Sequence, residues 1–196
     1  MPTQLLTQIL ACKHCEEFLP NPARPILQFN PKAKILIAGQ APGRKAHESG
    51  IPFDDASGDR LREWMGISRE IFYDPEKIAI LPLGFCYPGT AKSGDLPPRA
   101  ECAIAWRSQL LSQLQQLQIT LHIGQYAQQY HFMKPKKSLT ERVKLWTLHQ
   151  TNQIPLPHPS PRNNIWLKRN EWFETELLPE LKKRIAAVID NNSHIT

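Results

Sequence analysis

The sequence lacks long hydrophobic runs, internal repeats and low-complexity tracts. None of its apolar runs approaches the roughly 18 residues that a membrane-spanning helix needs. The first residues, MPTQLLTQILACKHC, do not place a basic segment before a long apolar core, as a secretion signal would. We therefore expect a cytoplasmic protein with no membrane partner, and we expect it to be a monomer.

The composition is that of a globular protein with a modest excess of positive charge. Its 196 residues are 41% hydrophobic, which suits a single domain over residues 1–196 with a buried core. Lysine and arginine number 24 against 18 aspartates and glutamates, so the net charge is +6 and the pI is about 9.2. This excess favours a polyanionic partner, although it also suits an ordinary soluble protein. The 18 prolines indicate many fixed loops and few long helices.

Four short apolar runs alternate with segments of helical periodicity. The apolar runs predict strands at residues 34–38, 77–83, 119–123 and 154–156. The helical spacing predicts helices at residues 59–65, 99–117, 125–132 and 171–189, and Pro179 should kink or divide the last of them. This alternation predicts an α/β fold in which a mainly parallel four-stranded sheet lies between helices, a three-layer α/β/α arrangement.

The stretch after the first predicted strand, GQAPGRKAHESGIPF at residues 39–53, is predicted to be a ligand-binding loop. Its glycines and prolines should prevent both strand and helix from continuing. In open parallel sheets ligands bind at the carboxyl ends of strands, where loops meet and backbone N–H groups are free. The other strand ends carry residues 84–89, Gly124 and the segment PHPSPRNN. The residues with chemical potential are thus predicted to meet at one edge of the sheet.

Several residues at this edge have side chains suited to catalysis or base binding. His158 lies between prolines, so its imidazole is either a fixed donor to a developing anion or a loop histidine satisfied by the backbone. Phe53 is either a face for base stacking or a core aromatic. Asp54 and Asp55 either orient a water or form a turn, and the sequence does not select one of them.

Polar residues at the last two strand ends are candidates for contact with nucleic acid. Gly124 and Gln125 open a predicted helix, where free N–H groups and the helix dipole favour a phosphate. Arg162 and Asn163 either follow a phosphate or enter a groove, or else they are simply solvated.

The four cysteines fall into two pairs along the sequence. Cys12 and Cys15 form a Cys-x-x-Cys, which occurs in metal sites, in redox pairs and by chance. Cys86 and Cys102 are separated by fifteen residues. Because disulfides are rare in a reducing cytosol, we expect one tetrathiolate site, which holds either zinc or an iron–sulfur cluster and ties the N-terminal segment to a distant loop. The alternative is four buried, unpaired cysteines.

Five features in this order resemble the uracil-DNA glycosylase superfamily, most closely its iron–sulfur-containing branch, family four. They are GQAPG, GIPFDDASGDRL, a cysteine pair fifteen residues apart, IGQYA and HPSPR, and the resemblance spans about residues 10–170. It implies a four-stranded parallel sheet between helices, in agreement with the strand count above. It also implies a DNA-repair glycosylase that hydrolyses the N-glycosidic bond of uracil, or of a related deaminated base, flipped out of DNA. The implied partner is DNA, so the protein would be nucleoid-associated when bound.

The resemblance assigns roles to the residues that match its motifs. The loop that frames the base consists of Gly39, Gln40, Ala41, Pro42 and Gly43, and the aromatic that stacks on the base is Phe53. His158 corresponds to the histidine near the uracil oxygen. Asp54 and Asp55 are candidate catalytic carboxylates on the grounds of their chemistry and position, not of the resemblance. The residues expected to contact DNA are Gly124, Gln125, Ser160, Arg162 and Asn163. The ligands of a 4Fe-4S cluster, or of structural zinc as the alternative, are Cys12, Cys15, Cys86 and Cys102.

The sequence departs from the family pattern at four places. Gln40 stands where the branch usually has glutamate, Ala46 stands where it usually has an acidic residue, and Asp54-Asp55 replace a valine–glycine pair. Pro82 occupies the place, four residues before the third cysteine, of an asparagine that reads the uracil edge. Because proline has no side-chain amide, either another group reads the base, or the substrate differs, or the protein binds nucleic acid without excising a base.

Overall fold

A computed structural model describes residues 4–92, 94–132, 137–149 and 151–190. The strands in these residues are β1 (Ile35–Ala38), β2 (Ile78–Ile80), β3 (Thr90–Ala91), β4 (Gly94–Asp95), β5 (Ile119–Ile123) and β6 (Gln153–Leu156). Four of them form one sheet in the order β2-β1-β5-β6, with every neighbouring pair parallel. The other two, β3 and β4, form an antiparallel hairpin.

The described helices are mostly short, as the proline content predicts. They are α1 (Gln4–Leu10), α2 (Arg44–Ser49), α3 (Ala56–Met65), α4 (Arg69–Phe72), α5 (Ala100–Cys102), α6 (Ser108–Gln113), α7 (Gly124–His131), α8 (Leu139–His149), α9 (Asn164–Arg169) and α10 (Leu178–Asp190). Two π-helical turns, Ala103–Arg107 and Phe173–Leu177, lead directly into α6 and α10. Two 3-10 turns lie at Glu16–Phe18 and Pro161–Asn163. None of the described helices combines the length and the apolar character needed to cross a membrane.

The sheet is buried on both faces. Ile35 and Ile37 of β1 pack in a core cluster that contains Leu61 of α3 and Ile185 of α10. Leu36, which points to the opposite face, packs in a second cluster with residues of α1 and α6. Two-sided burial is the reason that the strands read as continuous apolar runs rather than as alternating patterns. The predicted three-layer α/β/α fold with a parallel four-stranded sheet is confirmed.

The predicted strand at residues 77–83 is regular only as far as Ile80. Beyond β2 the backbone still pairs with the loop after β1, because the N–H of Leu83 donates to the carbonyl of Gly39 at 3.0 Å and the N–H of Gly84 donates to that of Gln40 at 3.0 Å. Pro82 lies between Leu81 and Leu83, both of which donate to β1 or to the loop after it, so its missing N–H costs no hydrogen bond to β1.

The prediction that neither strand nor helix forms within residues 39–53 is wrong, because α2 lies inside this stretch. Gly43 is its N-cap, and Gly50, with a φ of 79°, is its C-cap. A glycine at the left-handed C-cap position ends a helix at little cost. The glycines therefore bound a single short helix instead of excluding it.

Two predicted helices contain π-helical turns. The helix predicted at residues 99–117 begins at Ala100 and ends at Gln113, with the turn Ala103–Arg107 inside it. The helix predicted at 171–189 is divided at Leu178, one residue before Pro179. Pro179 has no N–H to donate to the π-helical turn before it, which agrees with the change from π to α geometry at this point.

A buried polar cluster lies behind β2 and β5. Arg107 is 1% exposed and donates from Nη1 to the carbonyls of Leu81 at 2.9 Å and Pro82 at 3.3 Å. Its Nη2 lies 2.8 Å from His131 Nε2, and the His131 ring packs against that of His122, with centroids 4.4 Å apart. Burial lowers the pKa of Arg107 to about 10, of His122 to about 4 and of His131 to about 3. Both imidazoles are therefore neutral at neutral pH.

We expect the protein to lose stability as the pH falls from about 6.5 to about 4. The pKa of His122 is about 4 in the folded protein against 6.5 ordinarily, so between these values the unfolded chain binds more protons. For His122 alone the loss amounts to about 3 kcal/mol. Thermal unfolding across this range checks the expectation. His122→Gln should flatten the pH dependence and His149→Gln, on the surface, should not; equal slopes in all three proteins would contradict it.

Candidate active site

The loops at the carboxyl ends of the four parallel strands surround a cleft of about 640 Å³. The predicted site residues that line it are Gly39, Gln40, Ala41, Pro42, Gly43, Phe53, Asp55, Gly124, Gln125, His158, Ser160, Arg162 and Asn163. Residues that the sequence did not single out for the site, among them Asp95, also line it, as does Pro82. The cleft therefore brings together loops from all four strand ends.

The loop after β1 presents backbone N–H groups rather than carbonyls. The carbonyls of Gly39 and Gln40 accept from Leu83 and Gly84, as described above. The N–H groups of Gln40, Ala41 and Gly43 donate to no backbone acceptor within the described residues. N–H groups left free in this way are suited to bind an anion.

The Phe53 ring lies against the glycine that opens this loop. Its Cζ is 3.7 Å from the position of a Cβ on Gly39, and its edge meets the Phe72 ring, with centroids 6.3 Å apart. Phe53 has a φ of 55°, which is unusual for a residue with a side chain. Its carbonyl oxygen lies only 1.7 Å from the position of a Cβ on Gly58. Glycine at residue 58 therefore makes this conformation of Phe53 possible.

The two neighbouring carboxylates, Asp54 and Asp55, lie in different places. Asp54 is not among the residues that line the cleft, and its Oδ1 pairs with Arg69 Nη2 at 2.8 Å. Asp55 lines the cleft, and its Oδ1 accepts from the N–H of Gly58 at 2.9 Å as the N-cap of α3. Of the pair, only Asp55 is placed to act on a ligand, and one of its oxygens already caps the helix.

His158 is fixed by its own loop. Its Nδ1 accepts from the N–H of Ser160 at 3.2 Å, and its carbonyl accepts from Nδ2 of Asn163 at 2.7 Å. Its Cβ lies 3.5 Å from the position of a Cβ on Gly124, whose φ of 77° opens α7. Because Nδ1 accepts a hydrogen bond, we assign the proton of the neutral imidazole to Nε2.

Charge and burial keep the His158 imidazole neutral. Burial lowers its pKa below the ordinary value, and the Arg162 guanidinium lowers it further, whereas the carboxylates of Asp55 and Asp95 raise it. The net direction is downward, so at neutral pH His158 is a neutral side chain that donates from Nε2.

The side chain of Gln40 joins the loop after β1 to the β3–β4 hairpin. Its Nε2 donates to the carbonyl of Leu96 at 2.9 Å. A glutamate has no N–H and could not make this bond. The amide of Gln40 therefore holds the loop to the hairpin through a bond that the glutamate usual in the resembled branch could not donate.

The DNA-facing candidates after β6 form one ordered turn. Ser160 Oγ accepts from the N–H of Arg162 at 3.3 Å and caps the 3-10 turn Pro161–Asn163. The carbonyl of Ser160 accepts from Nη1 of Arg60 at 3.2 Å. Arg162 Nη1 lies 2.8 Å from the position of a Cβ on Gly94, so its guanidinium extends over the β3–β4 hairpin.

The sequence of this fold and cleft matches a known family over most of the chain. The model of the Uracil DNA glycosylase superfamily matches residues 27–182. The chain belongs to the uracil-DNA glycosylase superfamily. The match spans the whole four-stranded sheet and includes Cys86 and Cys102, but it begins after Cys12 and Cys15.

A second cavity, separate from the cleft, is lined by all four cysteines of the chain, Cys12, Cys15, Cys86 and Cys102. The N–H of Phe85 donates to Cys102 Sγ at 3.3 Å. Burial, together with the neighbouring cysteines, raises the pKa of Cys86 to about 11 and of Cys102 to about 12. Within the described residues no three His, Cys, Asp or Glu side chains are already placed to hold a metal ion. The donor set, four thiols around one space, nevertheless has the composition of a tetrathiolate site.

Sequence reasoning missed three residues that shape the cleft: Gly58, Asp95 and Arg107. Gly58 could have been found, because a glycine three residues after an N-cap aspartate is unusual inside a helix. Asp95 follows the turn residues Ser93 and Gly94, which signal a hairpin but not where it folds. Arg107 lies within an amphipathic run, where a charge is ordinarily placed on the solvent side.

We expect Gly58→Ala to displace Phe53, because the new methyl group would meet its carbonyl at 1.7 Å. The overlap should cost about 1–3 kcal/mol of stability. Nuclear Overhauser contacts between the Phe53 ring and Gly39 should weaken or vanish.

Gly66→Ala is the matched control, since Gly66 ends the same helix with a φ of 68° and faces only the flexible side chain of Lys182. It should lose stability yet keep the Phe53–Gly39 contacts. Retention of those contacts in Gly58→Ala would show that Phe53 does not depend on the glycine.

Proposed function

We propose that this protein is a DNA glycosylase that hydrolyses the N-glycosidic bond of uracil, or of a related deaminated base, flipped out of DNA. The observation that carries the proposal is His158, a neutral imidazole whose Nδ1 is occupied and whose Nε2 proton is left for a ligand in the cleft. Family membership supports the reaction class and DNA as the partner.

The proposed mechanism uses the cleft to stabilise a departing base. A base can reach the cleft only after it leaves the stack. Phe53 offers its ring for stacking on that base, next to the backbone of Gly39. As the glycosidic bond breaks, negative charge develops on the base, and His158 Nε2–H with the free N–H groups of the loop after β1 stabilises it. These donors are fixed before the reaction, so little reorganisation is needed.

The proposed DNA contacts lie next to one another, at the ends of the adjacent strands β5 and β6. Gly124 and Gln125 are at the first turn of α7, where the N–H groups and the helix dipole suit a backbone phosphate. The turn that contains Ser160, Arg162 and Asn163 projects beside His158 and supplies the cation and polar groups that would enter or follow the duplex. The net charge of +6 supports the same partner.

A second candidate function is binding of damaged or single-stranded DNA without excision. Pro82 favours it, because this residue lines the cleft and has no side-chain amide to read a base. The absence of any acidic side chain from GQAPG favours it as well. A protein of this kind would show salt-dependent affinity but no turnover.

We expect purified protein to excise at least one base from a panel of single- and double-stranded DNA containing uracil, hypoxanthine or xanthine. Excision is measured as alkali-labile sites. His158→Ala should slow it about 100-fold or more, since loss of one fixed donor to a developing anion costs roughly that factor. His149→Ala, which changes an exposed histidine on α8, should leave the rate unchanged. No excision of any lesion, together with salt-dependent binding, would select the second candidate.

We further propose that Cys12, Cys15, Cys86 and Cys102 hold a 4Fe-4S cluster, with structural zinc as the alternative. Either group would supply the positive charge that four neighbouring thiolates need and would tie the N-terminal segment to the segment after β2 and to α5.

The protein purified without oxygen should be brown and contain iron and acid-labile sulfide, and Cys102→Ser should lose both. His14→Ala is the control, because His14 lines the same cavity without a thiol and its loss should spare the metal. Colourless protein with stoichiometric zinc would select the alternative, and protein with neither would refute the site.

A further inference from the structure

We infer that Asp95, at the end of the β3–β4 hairpin, is the carboxylate that takes a proton from the water attacking the sugar. The inference rests on the proposed function, which leaves open the group that activates water. It names a residue outside the motifs that place the chain in its family.

The loop after β1 cannot supply this carboxylate. Its residues 39–43 read GQAPG and contain no acid. Gln40 is neutral, and its Nε2 is bonded to the carbonyl of Leu96. That bond draws the hairpin against the loop, so a side chain of the hairpin reaches the place where an acid is missing.

Asp95 is held through one oxygen and open at the other. Its Oδ1 accepts from Thr90 Oγ1 at 3.1 Å, and Thr90 Oγ1 in turn lies 2.5 Å from the hydroxyl of Tyr87. Its Oδ2 lies 3.5 Å from the position of a Cβ on Gly43 and takes part in no hydrogen bond or ion pair within the described residues. A carboxylate oriented by one oxygen, with the second free beside the ligand loop, has the arrangement of a general base.

Asp95 also shares the cleft with His158. Both residues line it, and the negative charge of Asp95 acts on the His158 ring. Asp95 is exposed, so water reaches it directly. A base held between donors on the His158 side and a water held by Asp95 would place the sugar between leaving group and nucleophile.

The proton and electron balance of the step is simple. The C1′–N bond breaks, and its electron pair leaves with the base as an anion stabilised by His158. The water oxygen forms a bond to C1′ while one of its protons passes to Asp95 Oδ2, which becomes neutral. Asp95 then returns this proton to solvent, and the base anion takes one up, so that one water is consumed and the products are the free base and an abasic sugar. The charge of Asp95 also favours the positive charge that develops on the sugar.

Asp55 is the rival for this role, because it lines the cleft and its charge also acts on His158. Its Oδ1, however, is the N-cap acceptor of α3. Asparagine preserves a side-chain acceptor at a cap, so Asp55→Asn removes the charge while keeping the capping bond. The same substitution at Asp95 keeps an acceptor for Thr90. The two variants therefore compare the charges alone.

The test is single-turnover excision with enzyme in excess, on the lesion that the wild type excises fastest. We expect Asp95→Asn to slow excision about 100-fold or more, as loss of a general base does, and Asp55→Asn to slow it far less. Asp74→Asn, a carboxylate before β2 that pairs with Lys77 at 3.0 Å at the opposite edge of the sheet, should match the wild type. An unaltered rate in Asp95→Asn, or an equal or larger loss in Asp55→Asn, would overturn the inference.

A second measurement does not depend on turnover. Wild-type protein should bind DNA that carries a cationic pyrrolidine in place of the sugar more tightly than DNA with a neutral tetrahydrofuran, and Asp95→Asn should lose about tenfold of this preference. Loss of the preference only in Asp55→Asn would overturn the assignment. If the wild type excises no base, both the proposed function and the water-activating role of Asp95 are refuted. The binding preference for pyrrolidine DNA would then still show whether the charge of Asp95 acts on the sugar.

Discussion

The hydrogen bonds between the segment after β2 and the loop after β1 are the constraint on which both candidate sites depend. Leu83 and Gly84 donate to two carbonyls of the loop, whose N–H groups at Gln40, Ala41 and Gly43 donate to no backbone acceptor within the described residues. One residue later the N–H of Phe85 donates to Cys102 Sγ, and Cys86 follows in the cysteine cavity. A single stretch of four residues, 83–86, therefore fixes the shape of the loop after β1 and the position of Cys86 in the cysteine cavity. A substitution that displaces one of these sites should therefore displace the other as well.

Arg107 supports this segment from behind. A buried guanidinium is costly unless its donors are satisfied. Here Nη1 donates to two backbone carbonyls and Nη2 lies against the His131 ring, whereas Nε has no partner within the described residues. The neutral state of His131 is part of the same arrangement, since a second positive charge beside Arg107 would repel it. Burial is the main cause of the depressed pKa values of His122 and His131, and the charge of Arg107 lowers both further from their ordinary value.

The fold and the general location of the cleft could be predicted because both follow from local chemistry. Buried parallel strands need β-branched apolar runs such as residues 119–123, and their ends need glycine, proline or a helix start such as Gly124. Contacts between distant loops could not be predicted. The sequence around Asp54 and Asp55 does not show that Asp54 pairs with Arg69 or that Asp55 caps α3. The position of Asp95 depends on how a hairpin folds against Gln40, which no periodicity encodes.

Pro82 bears on how selective the cleft can be. A site that hydrogen-bonds one edge of a base rejects a wrong base by about 10⁴-fold or more, because the wrong base leaves buried polar groups unpaired, whereas apolar contacts discriminate only about 10–200-fold. In this protein the contacts around Gly39 are apolar, from the Phe53 ring and Pro82, while Asp55, Asp95 and His158 face the cleft near the reaction. On the proposed function, selection then depends on the shape of the stacked base and on how easily it leaves the duplex. Mismatched and deaminated bases leave the duplex stack most easily. A cleft that reads the base edge only weakly can therefore still prefer damaged DNA.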